Sequence, residues 1–184
     1  MSRLAILLYS VAYICFFGSF IALKSQHGPI SLHDEKFTFT PHKFYIVNVA
    51  DARINQKLVA ILIEKGQKSP ITVDLKDGAV DGIKNFLNHN LHRDTTLRPI
   101  LLTIREFKIT ETRSPNGTVS GDVKVSFSFS SQLSYQNKNL VDFHNDIHYK
   151  RLINKPVNVE AKLKGEIMDG LTYFNNWINK QPDH

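Results

Sequence analysis

Val119, Val123, Val125, Phe127 and Phe129 alternate with Ser120, Asp122, Lys124, Ser126, Ser128 and Ser130. A period of two over that length buries one face of a strand and leaves the other in water. Val141, Phe143, Ile147 and Tyr149 alternate in the same way with Asp142, His144, Asp146, His148 and Lys150, broken only by Asn145. Upstream, Ile100, Leu102 and Ile104 share one face, whereas Phe107 and Ile109 continue in the opposite phase. A β-bulge or twist near Arg105–Glu106 would return all five to the core side. Three shorter runs rich in β-branched and aromatic residues precede them: Lys43 to Ala50, Leu58 to Glu64, and Ile71 to Leu75.

Two stretches change to the helical period. Ala79, Val80, Ile83, Phe86, Leu87 and Leu91 recur mostly at three- and four-residue steps, with Asp77 placed to cap the first turn. Leu163, Ile167, Leu171, Phe174 and Ile178, broadened by Met168 and Trp177, form the stripe of a closing helix that Asn158 can cap. The expected fold is α+β: an antiparallel sheet of about six strands with two helices packed on one face, in the order β-β-β-α-β-β-β-α.

One segment follows neither period. Leu4 to Leu23 runs for twenty residues without a charged side chain, directly behind Arg3. A hydrocarbon core about 30 Å thick takes roughly 20 apolar residues in a helix, so the run is long enough to span. A cleaved signal has a shorter apolar core of about 7–15 residues and a small-x-small site, and the bulky Tyr13, Phe16 and Phe17 suit that less well. Residues 1–23 are therefore a signal peptide or an N-terminal membrane anchor. Residues 24–42, with Gly28, Pro29 and Pro41, read as a linker, and residues 43–184 as one α+β domain. The expected location is exported, membrane-anchored or periplasmic, in a bacterial envelope, with Leu4–Leu23 as the membrane contact.

Composition narrows the partners. The chain holds 23 Lys and Arg against 17 Asp and Glu, a formal charge of +6. Without Arg3 the exported part carries +5 (22 − 17). Its basic residues are scattered, with no run of four and no aromatic interleaving, so nucleic acid is not an expected partner. Cys15 is the only cysteine, which excludes an internal disulfide. It is a candidate for lipid attachment, in a context of Tyr13-Ile14 and Phe16-Phe17 that fits a lipid-acceptor signal badly. Asn116-Gly117-Thr118 matches a glycosylation sequon, but Ser114-Pro115-Asn116-Gly117 explains it as a turn between strands.

Val47-Asn48-Val49-Ala50-Asp51-Ala52-Arg53, the helix over 77–92, the long strand over 100–110 and the closing helix together resemble the YajG-like family of bacterial envelope lipoproteins. The resemblance covers nearly all of residues 43–180 and is mainly architectural. It implies an envelope setting and a lipidated cysteine ending the signal, whereas Cys15 departs from that pattern. It implies no mechanism.

Three groups of residues are candidates for chemistry. Asp142, His144, Asp146 and His148 share one strand face, and His with carboxylate is a competent divalent-metal set. Neighbours two apart share an ion only with help from an adjacent strand. Asp51 and Arg53 sit at a strand end, where such a pair more often fixes a loop. Of Asp74, Asp77 and Asp81, two are explained by a strand end and a helix cap, with a Mg²⁺ or acid–base role for the cluster as the alternative. No phosphate-cradling glycine loop and no nucleophile with a base in context occurs, so neither a cofactor nor a catalytic residue is expected. The expected function is non-enzymatic: an exported domain that binds a protein or envelope component, along an open strand edge. One alternative is a hydrolase or metal-binding enzyme using the Asp142/His144/Asp146/His148 face. Another is a structural subunit of a membrane complex, held by Leu4–Leu23.

Overall fold

A computed structural model describes residues 28–33, 35–133 and 136–182. Leu4–Leu23 and Cys15 lie outside the described residues. Among those described, no helix is long and apolar enough to cross a membrane.

Six strands and two helices form an α+β domain. They are β1 (Phe44–Asp51), β2 (Ala60–Leu62), β3 (Ile71–Val73), α1 (Gly78–Asn90), β4 (Arg98–Arg113), β5 (Thr118–Leu133), β6 (Gln136–Leu152) and α2 (Val159–Asn179). The sheet runs β3-β2-β4-β5-β6, with β1 also paired to β4. It is mixed, which corrects the expected antiparallel sheet. β4-β5-β6 is an antiparallel meander, but β1 and β2 both run parallel to β4. The cause is the connection: β3 and α1 return the chain before β4 begins, so β4 sets out in the direction of β1. Periodicity shows which face of a strand is buried and carries no information on strand direction.

β1 and β2 share one edge of β4 in tandem. β1 covers Arg98 to Ile104 and β2 covers Ile109 and Thr110. Between them the chain leaves the edge as a loop over residues 52–58. At the same level β4 carries its bulge: the β4–β5 register shifts between Ile104 and Glu106, leaving Arg105 as the extra residue. This is where the phase change from Ile104 to Phe107 requires it.

The helices bury their stripes in one apolar cluster with the sheet. Leu163, Ile167, Leu171 and Phe174 of α2 are fully buried. Phe174 stacks on Phe129 with ring centroids 4.3 Å apart and meets Phe44 edge-on at 4.8 Å. Gly170 lets α2 come this close, because a Cβ there would lie 2.7 Å from Phe127 Cδ2. Asn158 caps α2 by accepting from the Ala161 N–H at 2.9 Å. Asp77 occupies the cap position of α1 but makes no side-chain cap bond. The entry is held by backbone instead, with Gly78 at φ +74° donating its N–H to Leu75 O.

Residues 30–39, read from sequence as linker, pack on the domain. Ile30 bridges Leu75, donating to Asp74 O at 2.9 Å and accepting from Lys76 N at 2.8 Å. His33 Nδ1 lies 2.8 Å from Glu160 Oε1 on α2, the Glu35 N–H donates to Asn90 Oδ1 on α1, and Phe37 meets Phe86 of α1. The segment thus straps the two helices together. The 114–118 turn also forms, with Gly117 at φ +77° and Asn116 Oδ1 accepting from Thr118 N and Oγ1.

Candidate functional site

Where β1 and β2 leave the β4 edge, backbone carbonyls lose their ladder partners, and Arg53 takes them. Its side chain is 4 % exposed. Nη1 donates to Leu58 O and Phe107 O, Nη2 to Gln56 O and Asp51 Oδ2, and Nε to Asp51 Oδ1 at 2.9 Å. Those five bonds use every donor a guanidinium has. Burial alone would raise the Asp51 carboxyl, but bonds from the Arg53 side chain and backbone N–H, and the Arg53 charge, hold it below its usual range. Asp51 and Arg53 are therefore a structural plug, and Arg53 has no donor left for a ligand.

The same interruption opens a cleft of about 540 Å³. Its wall includes the loop residues Ile54 and Leu58, then Arg105, Glu106 and Lys108 of β4, and His144 of β6. Arg53 and His144, two of the residues singled out in the sequence, thus meet at one site. His148 does not line it. Arg105 lies on the polar sheet face by alternation from the buried Ile104, the bulge brings Glu106 to that same face, and Arg105 Nε donates to Ser128 Oγ at 3.0 Å. Ile54 stands fully exposed on the loop. The sequence marked neither Arg105 nor Ile54 as functional, since their meeting depends on where the edge is broken.

His148 belongs to a second cluster. Asp122 of β5 lies opposite it in the β5–β6 register and contacts its Nδ1, while Asp146 Oδ1 is 3.9 Å from its Nε2. One ligand atom from each of Asp122, Asp146 and His148 falls within 4.8 Å of the others. The adjacent-strand partner required for a shared ion is thus Asp122, and the set excludes Asp142 and His144. Asp142 instead accepts from Asn139 Nδ2. Lys124 Nζ, at 3.4 Å from Asp146 Oδ2, already compensates part of the charge. Asp74 accepts from the Leu75 N–H, its strand-end role.

Two buried carboxylates, unremarked in the sequence, tie the helix face together. Glu111, 2 % exposed, accepts from Tyr149 Oη at 2.8 Å, from Arg151 Nε and Nη2 at 2.7 and 2.6 Å, and from the Ile63 N–H at 2.8 Å. Burial would raise its carboxyl, yet those bonds hold it below the usual range. Burial and the bond to Glu111 push the Tyr149 phenol up. Gly121 makes room: any Cβ there would fall inside the Tyr149 ring, 2.2 Å from Cζ. Glu166 of α2, 3 % exposed, accepts only from Asn145 Nδ2 at 3.0 Å among the described residues, and burial raises its carboxyl. Asn145, which broke the strand pattern, faces the helix because it answers this carboxylate.

β6 forms one margin of the sheet, paired among the described residues with β5 alone. Of the four exposed large apolar side chains on the described surface, Ile147 and Leu152 lie on β6 and Tyr173 lies on α2, its ring 5.6 Å from that of Phe143.

No family model and no curated protein matches the sequence. Solved structures resemble the fold. Protein XCC0632 from Xanthomonas campestris, of family DUF330, superposes with a TM-score of 0.46 at 9 % identity, covering 83 % of this chain and 100 % of its own. The crystal structure of an uncharacterised protein superposes at 0.39 and 8 % identity, covering 81 % and 99 %.

Proposed function

We propose that the chain is a non-enzymatic bacterial envelope protein, YajG-like in setting, whose exported domain binds a protein partner through the open edge of β6. The observation that carries this reading is that edge itself. It is seventeen residues long, is paired on one side among the described residues, and has Ile147, Leu152 and Tyr173 exposed beside it. A bare strand edge offers a row of backbone donors and acceptors to an extended segment, and apolar side chains alongside give such a segment its footing. Envelope location and retention at the membrane rest on the uncharged run Leu4–Leu23.

The test is partner recovery from detergent-solubilised membranes of the native host, with Ile147→Lys against Lys150→Ala as control. A lysine on the edge opposes strand addition. Loss of a stoichiometric partner in Ile147→Lys alone, with unchanged circular dichroism, is expected. Equal recovery from both variants would sink the edge reading.

A second reading, metal binding, is favoured by the Asp122/Asp146/His148 geometry. His with two carboxylates from adjacent strands suits Zn²⁺ or Ni²⁺. Calorimetry with Zn²⁺ at neutral pH decides it: saturable 1:1 heat lost in His148→Ala is required, and its absence removes the reading. The enzyme alternative draws less from the geometry, because His144 and His148 stand at different sites.

A further inference from the structure

The cleft beside the β4 bulge is distinct from the β6 edge and has a chemistry of its own. Its side chains divide into two sets. Ile54 and Leu58 offer apolar surface from the 52–58 loop, and Ile54 is wholly uncovered. Arg105 and Lys108 bring two exposed cations from β4, against a single carboxylate, Glu106, which leaves +1 (2 − 1). Arg53 adds no free charge, since Asp51 and three carbonyls occupy it. His144 closes the β6 side. A bulge beside an interrupted edge re-aims side chains toward a common space, and here it sets Glu106 and Lys108 on the same polar face as Arg105. A volume of about 540 Å³ lies within the roughly 300–1,000 Å³ range of small-molecule sites.

We propose that this cleft binds a small monoanionic amphiphile, its acid group against Arg105 and Lys108 and its alkyl chain along Ile54 and Leu58. Charge complementarity selects the anion. A neutral amphiphile would leave the net positive charge of the wall unanswered, and a dianion would exceed it. Covering Ile54 and Leu58 removes apolar surface from water, so affinity depends on the chain as well as on the head.

The probes are dodecanoate and decanesulfonate, both monoanions at neutral pH and each below its micellar concentration, with dodecyl maltoside as the neutral head and acetate as the headgroup without a chain. Binding is read by calorimetry and by amide chemical-shift changes on the full chain in solution. Dodecanoate or decanesulfonate is expected to bind at least about tenfold more tightly than the maltoside and acetate. Arg105→Gln/Lys108→Gln should weaken that binding about tenfold or more, and Ile54→Ser by several-fold, with shifts centred on residues 54–58 and 105–108. Both substitutions change exposed side chains, and matching circular dichroism spectra check that the variants are folded. No binding of either anion, equal binding of the maltoside, or unchanged affinity in the double variant would each overturn the proposal. All of these outcomes are independent of whether Ile147→Lys loses its protein partner.

Discussion

Arg53 illustrates how a residue that looks functional in sequence is spent on structure. A guanidinium with all five N–H groups engaged, holding a carboxylate that is itself mostly buried, is strongly coupled to the fold. Arg53→Met is expected to destabilise by about 3–5 kcal/mol, because Asp51 and the Leu58, Phe107 and Gln56 carbonyls lose their partners together. Urea denaturation checks it, and a loss under 1 kcal/mol on the order of a surface pair would contradict the plug. Glu166 makes the opposite case. Its carboxyl is raised in the folded state by burial, so its favourable contribution is complete below the unfolded value and is lost as pH rises through the folded one. Glu166→Gln should therefore raise Tm by roughly 2–4 °C at pH 7 and change little at pH 4, as scanning calorimetry at the two pH values would report. The sequence yielded the Asp51–Arg53 pair as structural, because two residues at a strand end are neighbours whatever the fold. Glu111 and Glu166 were not legible: one is 40 residues from Arg151 and the other 21 from Asn145, so their partners are set by register and helix placement.

At the scale of elements, α2 and its glycine carry the packing. Phe127, Phe129 and Phe143 project from alternating strand positions, and α2 must approach them closely to stack Phe174 on Phe129. Gly170 permits that approach, and both Phe127 and Phe143 rings lie within 3.1 Å of where its Cβ would stand. Alanine has the better helix propensity by about 1 kcal/mol. Gly170→Ala should nevertheless destabilise by about 1–3 kcal/mol, because these two rings have buried neighbours and little room to move. Thermal unfolding of Gly170→Ala beside Gly165→Ala, where an added Cβ would meet nothing within 4 Å, isolates the effect: only the first should lower Tm. The closing helix was visible in its apolar stripe, yet Gly170 gave no sign of its role, since a small residue in a helix acquires meaning only from what lies across from it.

For the molecule as a whole, the sheet divides labour between two faces and two edges. Among the described residues one face takes both helices, the other stays polar and holds the cleft and the Asp122/Asp146/His148 cluster, and β6 leaves an open margin. The 30–39 strap adds a second constraint by joining α1 to α2 through Asn90, Phe86 and Glu160. A chain beginning at residue 41 should therefore melt several degrees below one beginning at residue 28, with the difference narrowing in high salt as the Glu35–Lys164 ion pair is screened. Equal melting curves would mean that the strap contributes nothing to the domain.

The sequence by itself determined the period of every long element, the bulge near Arg105, the Asn158 cap, the 114–118 turn and the buried face of the meander. These follow from local rules, since a side chain two or four positions away lies on the same face regardless of the rest of the chain. Only the tertiary structure decided that β1 and β2 run parallel to β4. It also decided that Asp122 rather than Asp142 joins His148, that residues 30–39 pack on the helices, and that a cleft opens where two strands share one edge. Each of these depends on contacts between residues far apart in the chain, whose pairing is fixed by strand direction and register, and alternation along a single strand contains neither.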